Sequence, residues 1–268
     1  MLHIVTNHHE TLKWLKIQSD YLSKNTNEDY KVYCGLTSIK EDKQAPQINN
    51  YNYDTLEGVI NRHADKLNYL SNLVNEESDD DLLIFLDPDA LPIRKGWESF
   101  IRKGLINNQA VAISREENIE PLLREDQKPY PHPCFFATTL KFWKEKELSW
   151  DLDPPSGASC AGVLLKQWFD FTGNKWAKLL RTNCFNLHPL NFGVYGNIIY
   201  HHGSGNRPIY DSIDVWSRPS LSSKYGVSLD IHWPELLQFN QKLSDLVFEE
   251  INNDHRFISM YFAGKEQS

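Results

Sequence analysis

Apolar and polar positions along the chain change their period several times, and each change marks an element. Leu2-His3-Ile4-Val5-Thr6 reads as a short strand. A helix is predicted over Thr11–Leu22, where Trp14, Ile17 and Tyr21 recur at i, i+3, i+7. Lys24–Asp29 is a polar turn, and Tyr30–Cys34 is a second strand that Gly35 is expected to stop. Residues 38–54 are polar and aperiodic, which predicts a loop. A second helix is predicted from about Leu56 to Val74, with Ile60, His63, Leu67, Leu70 and Val74 on one face. The acidic stretch Asn75–Asp81 breaks it. Leu82-Leu83-Ile84-Phe85-Leu86 then runs apolar without alternation, as a strand does when helices cover both its faces. Gly96–Leu105 reads as a helix and Ala110–Ser114 as a strand, so strands alternate with helices through residue 114 and predict βαβ units in an α/β sheet.

The second half is less regular. Pro131–Thr139 has strand character with prolines at its start, which predicts an edge position or an entry into the sheet. Ser159–Phe171 reads as a helix with Ala161, Leu164, Leu165, Trp168 and Phe169 inward. Asn197–His202 reads as a strand ending in His-His-Gly, and Leu236–Glu250 as an amphipathic helix. No repeat, low-complexity tract or linker interrupts the pattern, so residues 1–268 are expected to form one domain.

Composition narrows the function. With 28 basic and 36 acidic side chains the formal charge is −8, against the basic face that nucleic acid or an anionic membrane demands. No run approaches the ~20 apolar residues of a spanning helix, and Met1–Thr6 is too short for a signal-peptide core. Cys34, Cys134, Cys160 and Cys184 form no CxxC pair and read as reduced thiols, which suits a cytoplasmic protein, with attachment at a membrane periphery left open.

The candidate chemistry lies at Leu82–Asp89. Asp87 and Asp89 sit at i and i+2 directly after the buried strand, with Pro88 stiffening the turn between them. Ligands of open α/β sheets bind beyond the carboxyl ends of the strands. Two close carboxylates repel unless a proton or cation shares them, and a hard divalent ion with oxygen ligands resolves the repulsion. The alternative is a plain Asx turn.

The succession of strand, helix, strand, helix and then LLIFLDPDALPI resembles the nucleotide-sugar half of GT-A-fold glycosyltransferases, most similar to the family 2-like group. The resemblance covers about residues 1–115 in order and extends loosely to about residue 207. It implies a Rossmann-like, mixed and mainly parallel sheet flanked by helices, with a nucleotide-sugar half over about 1–115 and an acceptor half over about 116–268. It also implies Mn²⁺ or Mg²⁺ on the donor diphosphate, with Asp89 a direct ligand and Asp87 on the ribose or on the ion through water.

A late histidine completes the ion site in that family, and Tyr200-His201-His202-Gly203-Ser204-Gly205 fits the pattern. Strand neighbours point to opposite faces, so only one of His201 and His202 can face the ion; His201 is preferred, and a plain polar strand end is the alternative. The resemblance assigns the nucleoside to Thr6-Asn7-His8, which also suits a helix N-cap region. It carries His63 and Lys66 to the donor, His63 alternatively being a core residue, with Arg62 a further cation on that helix. Arg207 and Arg218 follow the histidines as candidate cations for a loop that closes over the diphosphate, the alternative for each being a solvated surface arginine. The acid that reads the base after the second strand is replaced by Gly35-Leu36-Thr37, which leaves the nucleotide open.

An inverting transferase needs a base for the attacking hydroxyl, and Asp151 and Asp153 are the candidates, with Trp150 beside them as a stacking surface for a sugar. Their alternative role is a turn or cap. His132 and His188 each adjoin a proline and are expected to be structural. The implied activity is transfer of a sugar from a UDP- or GDP-linked donor to a hydroxyl acceptor, with no nucleic-acid partner and no transmembrane segment. The alternatives are a nucleotidyltransferase or a non-catalytic nucleotide- or glycan-binding domain.

Overall fold

The computed structural model describes residues 1–10, 12–39, 45–56, 63–75, 78–114, 130–150, 162–187, 191–203 and 233–263. Its main sheet holds β1 (Leu2–His9), β2 (Tyr30–Thr37), β3 (Tyr51–Thr55), β4 (Leu82–Leu86), β6 (Ala110–Ser114), β7 (Pro131–Thr139) and β8 (Trp176–Leu179). Their spatial order is β3-β2-β1-β4-β7-β6-β8. β1 pairs in parallel with β2 and β4, as β2 does with β3 and β6 with β8, whereas β7 runs antiparallel to both of its neighbours. The fold is therefore a mixed, mainly parallel α/β sheet flanked by helices.

The continuous apolar run of β4 is explained by the layers around it. Leu82, Ile84 and Leu86 pack on the side of α1 (Leu15–Asn25) and α3 (Trp97–Leu105), with Leu15, Leu22, Trp97 and Ile101. Leu83 and Phe85 pack on the other side, with Leu67 and Leu70 of α2 (His63–Asn72), Trp143 of α4 (Leu140–Glu145) and Phe169 of α5 (Gly162–Thr172). A second, antiparallel sheet is built from β5 (Ala90–Pro92), β9 (Gly193–Tyr195) and β10 (Ile199–His201), ordered β5-β10-β9. Leu91, Val194 and Tyr200 of that sheet share an apolar cluster with Trp14 and with α6 (Trp233–Asn253) and α7 (Phe257–Tyr261) through Val247, Ile251 and Ile258. Among the described residues, no helix is long and apolar enough to cross a membrane.

Several elements depart from expectation, each for a physical reason. Gly35 does not stop β2. The strand continues to Thr37 between β1 and β3, and Gly35 is needed there because a Cβ would lie 2.7 Å from Asn7 Oδ1 and 2.9 Å from Leu56 Cδ1. β3 occupies part of the expected loop; as the outermost strand it needs few apolar residues. β7 is internal, so of the two expected positions it takes the entry into the sheet and not the edge. Its prolines fall at its first turn of pairing, next to the register shift of β6 between Ala112 and Ile113 that accommodates them. β1 likewise runs to His9, three residues past its expected end at Thr6. α4 and β8 were not foreseen.

Candidate metal centre

The carboxyl end of β4 leads into the turn Asp87-Pro88-Asp89 and then directly into β5, so the acidic pair links the two sheets. Backbone bonds fix the turn from several directions. Asp87 N donates to Cys134 O of β7 at 3.0 Å, Ala90 N to Asp87 O at 2.9 Å, and His202 N to Asp89 O at 3.0 Å. From α1, the Gln18 carboxamide Nε2 lies 2.8 Å from Asp87 O, 3.2 Å from Pro88 O and 3.3 Å from Ala90 O.

The antiparallel pairing of β5 with β10 sets His201 opposite Ala90, which returns a distant imidazole to the acids. His201 Nε2 is 3.5 Å from Asp89 Oδ1 and 3.8 Å from Asp87 Oδ2. One ligand atom from each of Asp87, Asp89 and His201 lies within 4.8 Å of the other two. Burial opposes the charged ring of His201, yet the neighbouring Cys134 sulfur and Asp89 carboxylate hold its pKa well above the ordinary imidazole value. A cluster that favours a ring proton between two carboxylates is one that a divalent cation suits, because the ion replaces that proton and cancels the acids' repulsion. Two carboxylates and an imidazole fit Mn²⁺, and Mg²⁺ through the oxygens.

His202 is not part of this group. Its Nδ1 is 3.0 Å from Tyr200 Oη and its Nε2 is 2.8 Å from Ser244 Oγ. Its ring packs between Trp14 and Phe192, at 4.7 and 4.8 Å between centroids. Burial pushes its pKa down to about 3, so it is a neutral core residue that ties β10 to α6.

Helix α2 approaches from the opposite side. His63 is 43% exposed at its side chain and places Nε2 3.6 Å from Asp87 Oδ1, so it borders the acids rather than joining the core. Lys66, one turn on, is buried; it makes no hydrogen bond or ion pair among the described residues, and burial lowers its pKa.

Thr6, Asn7 and His8 lie within β1 and not in a turn. They are buried, and Asn7 Oδ1 accepts from Thr37 Oγ1 at 2.9 Å. Thr6 Oγ1 and both ring nitrogens of His8 have no hydrogen-bond partner among the described residues. Burial drives the His8 pKa down to about 4; the Gln18 side chain and the Asp89 charge act in the other direction without offsetting it. Trp150 is also core. It is fully buried, with its ring 5.2 Å from those of Phe85 and Phe136, and offers no face to a sugar.

His132, expected to be structural, lies at the site. Its ring centroid is 6.2 Å from that of His201, and its Nδ1 accepts from Cys134 N at 3.1 Å. Asp151, Asp153, Arg62, His188, Arg207 and Arg218 fall outside the described residues. Gln18 was missed altogether. Its only signal is a polar residue in the middle of the inward face that Trp14, Ile17 and Tyr21 define.

No protein-family model and no curated protein sequence matches this chain. Similar solved structures include the mannosyltransferase PcManGT of Pyrobaculum calidifontis in complex with GDP-Man and Mn²⁺, at 10% identity and a TM-score of 0.47, covering 66% of this chain and 54% of that one. TarS of S. aureus in complex with UDP-GlcNAc is similar at 10% identity and a TM-score of 0.38, covering 56% and 48%. A 4-diphosphocytidyl-2C-methyl-D-erythritol synthase from Anaerococcus prevotii is similar at 12% identity and a TM-score of 0.39, covering 67% and 86%. This chain thus spans about half the length of the two sugar-transferase structures.

Proposed function

We propose that the chain is a metal-dependent GT-A-type glycosyltransferase that moves a sugar from a UDP- or GDP-linked donor to a hydroxyl acceptor. The observation that carries this reading is the Asp87–Asp89–His201 cluster at the carboxyl end of β4, where an α/β sheet binds its ligands. Asp89 and His201 hold Mn²⁺ or Mg²⁺ directly. Asp87 is shared between the ion, directly or through water, and the donor ribose, with His63 at its edge. The bound ion supplies neutralisation of the leaving diphosphate.

The chain's own groups do the rest. Lys66 is a candidate cation for the diphosphate, since a buried ammonium with no ion pair among the described residues gains most from an anionic partner. Arg207 supplies a second. Asp151 or Asp153 takes the proton of the acceptor hydroxyl as it attacks the anomeric carbon, which gives inversion. His202 serves the core rather than the ion, since its ring nitrogens meet Tyr200 and Ser244; Thr6, Asn7 and His8, at the carboxyl end of β1 with His8 near enough to feel the Asp89 charge, border the donor side.

The test is the melting temperature against UDP, GDP, CMP and ADP, with and without Mn²⁺, followed by assay of the matching sugar donors. A metal-dependent rise with one nucleoside diphosphate, absent in Asp89→Ala, supports the transferase, since a ligand of the folded state raises stability by mass action. Release of that nucleoside diphosphate from its sugar donor completes the case. Release of inorganic pyrophosphate from a nucleoside triphosphate would move the assignment to nucleotidyl transfer. No shift with any nucleotide would overturn both.

A further inference from the structure

We infer that Gln18 is a positioning residue for the Asp87–Asp89 turn, and that it sets the geometry of the two carboxylates from the far side of the sheet; the inference rests on the reading of that turn as a metal centre. The Gln18 side chain is fully buried on α1. Its Nε2 faces three main-chain carbonyls, at 2.8 Å from Asp87 O, 3.2 Å from Pro88 O and 3.3 Å from Ala90 O. Two N–H groups serve three acceptors, so at least one hydrogen is shared. The amide has one workable orientation, because its flip would press Oε1 against three oxygens of the same partial charge.

The turn needs this donor. Pro88 brings no N–H, and buried carbonyls require a partner. Among the described residues, the Gln18 amide reaching in from α1 answers the Pro88 and Ala90 carbonyls together. The three carbonyls flank both acidic residues, so the amide fixes the peptide plane that follows Asp87, the plane before Asp89 and the plane that follows Ala90. Those planes set the directions in which the two carboxylates leave the chain.

The residue is a buried polar group on an otherwise apolar stretch of helix. Its Oε1 is on the side of the His8 ring, whose protonated form the Gln18 side chain favours, and Trp14, Ile17 and Tyr21 around it on the helix all bury apolar surface. An apolar side chain would leave the Pro88 and Ala90 carbonyls without this donor. The amide is the better choice where the turn must be held in one conformation before an ion arrives.

Asn25 supplies the comparison. It lies seven residues on along α1 and makes the same kind of bond, Nδ2 to Pro92 O at 2.7 Å, but to the far end of β5. The experiment compares Gln18→Met and Asn25→Leu with the wild type, with Gln18→Leu as a second variant where Met does not fold. Mn²⁺ binding is followed by the EPR signal of the free ion, and amide hydrogen exchange at Ala90 and His202 is followed without metal. Gln18→Met should weaken Mn²⁺ binding by about 10- to 100-fold, as loss of an outer-shell support does, and should speed exchange at Ala90. Asn25→Leu should lower the melting temperature without either effect. Wild-type Mn²⁺ affinity and exchange in the Gln18 variants would overturn the inference, as would an equal loss of affinity in Asn25→Leu. If the wild type binds no Mn²⁺ but Gln18→Met alone frees the turn amides, the metal reading falls and the positioning role stands.

Discussion

Asn68 and Trp150 pair as strand partners do, although only one of them lends its backbone. Asn68 Nδ2 donates to Trp150 O at 2.8 Å, and Trp150 N donates to Asn68 Oδ1 at 2.7 Å. One carboxamide thus satisfies both main-chain groups of a fully buried tryptophan and anchors its segment to α2. Asn68→Ala strips both groups of their partners, at about 1–3 kcal/mol for each group left buried. Urea unfolding should show a loss of about 2 kcal/mol or more; a loss near zero would mean that the pair is replaced by water.

Two adjacent histidines should separate cleanly on substitution. His201→Ala is expected to weaken Mn²⁺ binding strongly with little change in melting temperature. His202→Ala is expected to do the reverse, because it opens a space beside Trp14 and Phe192 and leaves Tyr200 Oη and Ser244 Oγ unpaired. A cost of about 2–4 kcal/mol is expected from the cavity and the lost bonds. Calorimetric metal titration of both variants beside their unfolding curves decides it.

Stability should fall on acidification through a named group. His8 is depressed from the ordinary value of 6.5 to about 4. The unfolded chain therefore takes up a proton below about pH 6.5 that the folded chain refuses until about pH 4. Its contribution is complete above pH 6.5 and is lost as pH falls toward 4, about 2 kcal/mol of it by pH 5. His8→Leu should flatten that part of the profile in urea titrations from pH 7 to pH 5. An unchanged slope would show that the ring is protonated in the fold.

Gly35→Ala should destabilise the sheet despite the small size of the change. The new methyl would meet Asn7 Oδ1 at 2.7 Å, Leu56 Cδ1 at 2.9 Å and Leu70 Cδ1 at 3.0 Å. Overpacking of this kind costs about 1–3 kcal/mol, and thermal unfolding reads it directly.

What could be foreseen follows the strength of the local pattern. The unbroken run Leu82–Leu86 announces burial on both faces, and the acids after it are visible because carboxylates at the end of such a strand are out of place in a core. β3 and β8 escape notice because outer strands keep a polar face and carry no alternation strong enough to count. The prolines of Pro131–Thr139 leave an edge and a sheet entry open, and the register shift near the start of the strand lets an internal strand carry them at its entry. Trp150 beside Asp151 looks like a sugar platform until tertiary packing claims it for Phe85 and Phe136. Gln18 and Asn25 act on main-chain atoms, and no spacing rule connects an amide to carbonyls on another element.

The link between β5 and β10 also has a consequence in time. Both acids sit early in the chain, but the histidine that faces them arrives only when β10 docks on β5, far along the sequence. Contacts of such long separation form late, because closing the intervening chain costs entropy before any contact repays it. During synthesis the first half can fold around β4 with its carboxylates facing one another and no imidazole between them. Ion uptake would then report the docking of β10, and a nascent chain stalled before β9 would be unable to give that signal however well its first sheet had formed.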